Sequence, residues 1–125
     1  MAKHNELGKI GEQMAAEYLV TKGYIIRDVN WRCNRLEIDI VAEKNNRIII
    51  VEVKTRSTDK VADPIEAITR DKILYLVRAA RAYIRAYRLP HEIQFDVVTI
   101  VGNSTDTMKL NHIEDAFHMP LRTYR

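Results

Sequence analysis

Two neighbouring apolar runs in this chain carry charges that the core of an ordinary β-hairpin excludes. Leu36-Glu37-Ile38-Asp39-Ile40-Val41-Ala42 is followed by a polar turn and then by Arg47-Ile48-Ile49-Ile50-Val51-Glu52-Val53-Lys54. Desolvating an unpaired carboxylate or ammonium is costly, so acids and lysines placed among Ile and Val need a partner or a cation. Whatever fold the chain adopts must bring one to them.

The rest of the composition leaves that fold unassisted. The chain has 125 residues, 46% hydrophobic and 30% charged, which is enough for one domain with its own core. No apolar run approaches the roughly 20 residues of a membrane span. The start, Met1 to Glu6, lacks the apolar stretch of a secretory signal. A single Cys33 cannot form an internal disulfide, and no Cys/His cluster has zinc spacing. A cytoplasmic location is expected. The net charge of +3 is compatible with a polyanionic partner without demanding one.

Punctuation divides the chain into seven elements. Asn5 can cap a helix reaching about Lys22, with Leu7, Met14, Ala15, Tyr18 and Leu19 at helical spacing. Gly8 and Gly11 on that stripe would let a neighbour pack close. Tyr24–Arg27, Glu37–Ala42 and Arg47–Thr55 read as strands, the last two joined by a turn over Glu43–Asn46. After a polar loop from Arg56, Asp63, Pro64 and Glu66 can open a helix that runs to Arg88, with Thr69 placed to recap it and Pro90 to close it. Ile93–Val101 is a β-branched strand, and Met108–Ile113 reads as a weaker edge strand. The tail is expected to form one helical turn around Phe117. The order α-β-β-β-α-β-β predicts an α/β fold with a mixed sheet between two long helices.

Strand alternation then sharpens the opening problem. It puts Glu37, Asp39 and Val41 on one face, and Ile48, Ile50, Glu52 and Lys54 on one face of the next strand. A two- or four-residue turn centred on Asn45-Asn46 sets Asp39 opposite Glu52 and Glu37 opposite Lys54; a three- or five-residue turn shifts both pairings. Glu37 with Lys54 is an ordinary ion pair. Two facing carboxylates repel. A hard divalent cation resolves that conflict, since Mg²⁺ takes one or two carboxylates together with water and phosphate oxygens. The Val53 carbonyl can add an oxygen, and Lys54 can reach a phosphate or an attacking water. A lone Glu-x-Lys is commonly a solvated strand edge, but the run Ile48–Val51 before this one marks a strand buried on both faces.

Several basic residues are candidates for contact with phosphate: Arg32 and Arg35 near Trp31 in the loop before the first acidic strand, Arg56 after the motif, and Lys72 at the start of the second helix. Arg78, Arg81, Arg85 and Arg88 form a stripe that is either a phosphate track or a solvated helix face. Asp96 lies near the site or in a buried hydrogen-bonded pair. The four histidines have no ligand spacing.

The motif set resembles a known family. Glu12 on the first helix, Asp39 and Glu52-Val53-Lys54 look like the PD-(D/E)xK nuclease superfamily with its restriction-endonuclease-like fold. More narrowly, Gly8-x-x-Gly11-Glu12-x-x-Ala15-Ala16, Gly23-Tyr24, Glu37–Ala42, Val51–Arg56 and Phe95–Val98 resemble the YraN-type bacterial family, similar to archaeal Holliday-junction resolvases. The resemblance implies metal ligation by Asp39 and Glu52, a catalytic Lys54 and an accessory acid at Glu12, with Mg²⁺ or Mn²⁺ as cofactor. It implies hydrolysis of DNA to 5′-phosphate and 3′-hydroxyl ends, with branched, junction and flap structures as candidate substrates and a homodimer as a candidate assembly. Leu36 stands where the family usually has Gly, which is expected to narrow access to the metal. The alternative is a non-catalytic nucleic-acid-binding module on the same fold.

Overall fold

A computed structural model describes the backbone of residues 2–57, 68–104 and 106–119, and side chains from residue 6 onward. Helix α1 (Ala2–Thr21) is followed by β1 (Ile25–Cys33), β2 (Leu36–Lys44), β3 (Arg47–Arg56), α2 (Arg70–Tyr87), β4 (Glu92–Val101) and β5 (Lys109–Phe117). The five strands lie in sequential order in one sheet. β3 and β4 are parallel, as expected for strands joined by a crossover helix, and the other pairs are antiparallel. The fold is α/β and restriction-endonuclease-like, in the predicted element order.

Each helix covers one face of the sheet. Ala15 and Leu19 of α1 pack with Tyr24, Ile40, Ala42, Ile49, Val51, Val98 and Ile100. Leu76, Val77, Ala79, Ala80 and Tyr83 of α2 pack with Ile38, Val41, Ile48, Ile50 and Phe95. β3 therefore alternates between two apolar layers, which is why it reads as a nearly unbroken run of Ile and Val. Gly11 lets α1 lie against it, because a Cβ there would overlap Thr55 Oγ1. Gly8 was expected to do the same, but among the described residues nothing lies within 4 Å of a Cβ there.

Three boundaries differ from expectation. β1 extends to Cys33, so Trp31 and Arg32 sit in a strand; a register shift at Asp28 and a positive φ of 55° at Asn30 break the alternation that would have signalled it. β5 runs on through Phe117, whose ring stacks on Phe95 at 4.9 Å, in place of the expected helical turn. The expected helix start at Asp63, Pro64 and Glu66 lies outside the described residues, and α1 begins at Ala2, so Asn5 lies within the helix and does not cap its start as expected. The described helix is capped at Thr69, whose hydroxyl accepts from the Lys72 amide at 3.1 Å. It ends at Tyr87, with Arg88 in the left-handed region, so Arg88 is not part of the helical arginine stripe.

Candidate active site

The hairpin that carries the acids closes as the two-residue turn requires. Asn45 and Asn46 have φ values of 54° and 62°, the paired positive angles of a type I′ turn. The ladder runs from Lys44 opposite Arg47 to Ile40 opposite Val51 and ends there. One further step of the same register places Asp39 opposite Glu52. At that step the pairing changes character, because the Asp39 carboxylate, and not its backbone, accepts from the Val53 amide at 2.8 Å. The strands part where the two acids meet.

Alternation also fails at this point. Ile38 and Val41, three residues apart, belong to the same α2-side layer, while Ile40 belongs to the other. Asp39 sits at the irregularity, bracketed by Val29 opposite Ile40 and Trp31 opposite Ile38 around the positive-φ Asn30. The expected face shared by Glu37, Asp39 and Val41 is therefore not observed. With Leu36 and Ile38 both packed toward α2, Glu37 turns the other way and pairs with Arg32 at 3.6 Å, not with Lys54.

Lys54 instead bonds within its own strand, 3.5 Å from Glu52. Lys72 of α2 reaches the same carboxylate oxygen, also at 3.5 Å. The Glu52 side chain is only 7% exposed, so two ammonium groups neutralise one buried carboxylate. The Lys72 charge also lies over the Tyr75 ring at 4.8 Å. Tyr75 in turn ties the helix to β2, its hydroxyl accepting from the Glu37 amide at 2.7 Å. Lys72 is thus held at the acids by the helix cap, an aromatic face and an ion pair. From the sequence Lys72 could either point at the cleft or stand exposed on the helix; it points at the acids.

Among the described residues Asp39 is in no ion pair. Burial, and after it the Glu52 charge, push its pKa up to about 7. The Val53 amide opposes that rise, Glu12 adds to it, and Lys72 lowers it. Glu12 lines a hollow of about 350 Å³ between α1 and β1 with Lys9, Gln13, Ala16, Val29 and Asn30, within electrostatic reach of Asp39. Gly11 sets that approach by letting the helix touch Thr55, one residue beyond Lys54.

Among the described residues no three His, Cys, Asp or Glu side chains converge as a ready metal cluster. The donor set present is two hard carboxylates plus backbone. The Val53 amide faces β2, and on a strand the carbonyl of the same residue points the same way, toward the gap where the ladder has ended. Two carboxylates with a backbone oxygen suit a hard cation that keeps several waters, and such a cation would offset the burial and the Glu52 charge that raise the Asp39 pKa.

The remaining candidates separate. Arg56 is exposed at the end of β3, its carbonyl accepting from the Gly102 amide at 2.9 Å. Arg35 is exposed in the β1–β2 turn, and Arg32 is occupied by Glu37. Asp96 belongs to the other face. It is 1% exposed and accepts from Tyr24 at 2.7 Å, His112 at 2.7 Å, Gln94 at 2.9 Å and the Asp115 amide at 3.0 Å. Burial works to raise its pKa, and those four bonds outweigh it, leaving Asp96 below the ordinary carboxylate range. His112, given no role from the sequence, completes this network by bonding Tyr18 at 3.2 Å through its other nitrogen.

The architecture and the acid–lysine group define the class: a restriction-endonuclease-like α/β domain with a buried Glu52 and a half-buried Asp39 meeting at a strand fork. Residues 11–100 match the profile of the uncharacterised protein family UPF0102, and the chain belongs to that family. It is 47% identical over 121 residues to a UPF0102 protein of Bacteroides thetaiotaomicron, and 45% identical over 121 residues to one of Phocaeicola vulgatus; each alignment covers 97% of this chain and 99% of the relative. A UPF0102 protein of Flavobacterium psychrophilum is 42% identical over 118 residues, covering 94% of this chain and 98% of the relative. The family agrees with the resemblance read from the motifs. No helix among the described residues is long and apolar enough to cross a membrane.

Proposed function

We propose that the protein is a metal-dependent nuclease that hydrolyses phosphodiester bonds in DNA. The observation that carries this reading is the meeting of Asp39 and Glu52 at the end of the β2–β3 ladder, with Lys54 and Lys72 both on Glu52. Asp39, Glu52 and the Val53 carbonyl would hold Mg²⁺ or Mn²⁺. When bound, the ion supplies Lewis acidity and lowers the pKa of a coordinated water. The Val53 amide fixes the Asp39 carboxylate so that it need not reorganise. With Glu52 holding a cation, Lys54 and Lys72 would be free to meet the oxygens of a phosphodiester. One of them orients the attacking water, and the other neutralises charge building on the phosphorus centre. Glu12 stands outside this group and adjusts the charge at Asp39.

A non-catalytic binding module is the second reading. It is favoured by the same lysine pair, which already neutralises Glu52 without any ion. The two separate on one assay. Labelled branched, flapped, duplex and single-stranded DNA are incubated with the protein in Mg²⁺, in Mn²⁺ and in chelator. The nuclease reading requires metal-dependent cutting that Asp39→Ala and Glu52→Ala abolish. If no substrate is cut, or Asp39→Ala cuts as wild type does, the nuclease reading fails; DNA bound in chelator and never cut is the outcome that establishes the binding module.

A further inference from the structure

Helix α2 and the β1–β2 turn flank a groove of about 370 Å³. Arg78, Arg81 and Arg85 form one wall, and Cys33, Asn34 and Leu36 form the other. Arg27, Arg32 and Arg47 each take a carboxylate, whereas among the described residues Arg78, Arg81 and Arg85 have no ion-pair partner. Three exposed guanidinium groups at spacing three and four lie on one helix face, over about 10 Å of helix axis. No carboxylate among the described residues pairs with them to offset their mutual repulsion, and a row of phosphates would do so.

The groove is joined to the candidate active site. Leu36 in its wall precedes Glu37, whose amide bonds Tyr75; the Tyr75 ring carries Lys72, and Lys72 touches Glu52. From Lys72 to Arg85 is about 20 Å along α2. A double helix is read by an element that protrudes into its grooves. Here α2 is instead one wall of a concavity with the apolar Leu36 and the thiol of Cys33 opposite it. A basic groove with apolar lining is the form that takes a single strand.

We propose that this groove holds an unpaired nucleic-acid strand leading away from the Glu52 site, with phosphates on Arg78, Arg81 and Arg85 and sugar edges against Cys33 and Leu36. The inference rests on the nuclease reading only for where that strand comes from. It makes the substrate a structure with a single-stranded arm and not a continuous duplex.

Cys33, the chain's single cysteine, reports on occupancy. Its alkylation is timed on the full chain in chelator, with a saturating unpaired DNA oligonucleotide, the same sequence as RNA, and a blunt duplex of equal length. The unpaired strand should slow alkylation by about fivefold or more and the duplex by less than about twofold, with the DNA and RNA arms identifying the sugar. Arg81→Glu with Arg85→Glu should weaken strand binding by about tenfold or more in fluorescence anisotropy and remove the protection. Protection by duplex equal to that by the strand, no protection at saturation, or affinity unmoved by charge reversal would each overturn the groove. If Cys33 does not react in the free protein, the anisotropy comparison decides alone. The outcomes separate from those of the nuclease reading. Protection without cleavage sinks only the latter, and cleavage without protection sinks only the groove.

Discussion

Lys72 on α2 and Glu52 on β3 stand 3.5 Å apart, and Lys54 approaches the same oxygen at the same distance. An ion entering at Glu52 must therefore compete with two ammonium groups already there. Removing the one that is not part of the strand motif should ease that entry. Lys72→Met is expected to tighten Mn²⁺ binding by about threefold to tenfold, roughly 1 kcal/mol, in a direct titration. Weaker binding in the variant would mean that Lys72 assists the ion and does not compete with it.

Asp39 makes stability depend on pH in an unusual direction. Its folded pKa, raised to about 7 by burial and Glu52, lies above the unfolded value near 3.9. Between those values the folded state holds the extra proton, so stability is greatest toward pH 4 and falls as pH rises through about 7. Asp39→Asn, which cannot ionise, should raise the melting temperature in chelator at pH 8 and leave it nearly unchanged at pH 4.5. Equal shifts at both pH values would contradict the assignment.

A divalent ion should act on the same group with the opposite sign. Mg²⁺ or Mn²⁺ at about 100 times its dissociation constant should add about 2.7 kcal/mol to wild-type stability at pH 8 by mass action. Chelator should reverse the gain, and Asp39→Asn or Glu52→Gln should lose most of it. Thermal melts with and without ion are sufficient to check this.

Gly8 and Gly11 should respond oppositely to a methyl group. A Cβ at Gly11 would overlap Thr55, so Gly11→Ala is expected to cost about 1–3 kcal/mol and to disturb the rim beside Lys54. Nothing stands within 4 Å of a Cβ at Gly8, so Gly8→Ala should be neutral or stabilising by up to about 1 kcal/mol from helix propensity. Urea midpoints of the two variants give the comparison.

Asp96 should behave as a structural anchor. With four hydrogen bonds and almost no exposure, Asp96→Ala is expected to cost about 3–5 kcal/mol, since it strips the partner from His112 and Tyr24. Because its folded pKa lies below the ordinary carboxylate range, its contribution is present above the unfolded pKa and is lost as pH falls through the folded one. Denaturant unfolding at pH 7 and at pH 3 tests both statements.

The regular parts of this fold were legible because local and global signals agree in them. The Ile48–Val51 run, the Asn45-Asn46 turn and the stripe of α2 each point to one structure. The turn alone fixed the register that brings Asp39 to Glu52. The irregular parts were not legible. Asn30 and the shift at Asp28 remove the alternation on which a face assignment depends, so the partner of Glu37 was misread. The contact of Lys72 with Glu52 depends on how α2 docks, and no period in the sequence encodes that. His112 shows the same limit, since β4 and β5 had to pair before its relation to Asp96 existed.

The two aspartates buried against this sheet were given opposite treatment. Asp96 is saturated: every direction around its carboxylate is answered by a donor, and it has nothing left to offer a visitor. Asp39 receives one amide and faces another acid, so the fold leaves it chemically hungry. Among the described residues Asp39 keeps the acceptor capacity that Asp96 has spent, so one residue type locks one part of the sheet and leaves another part open.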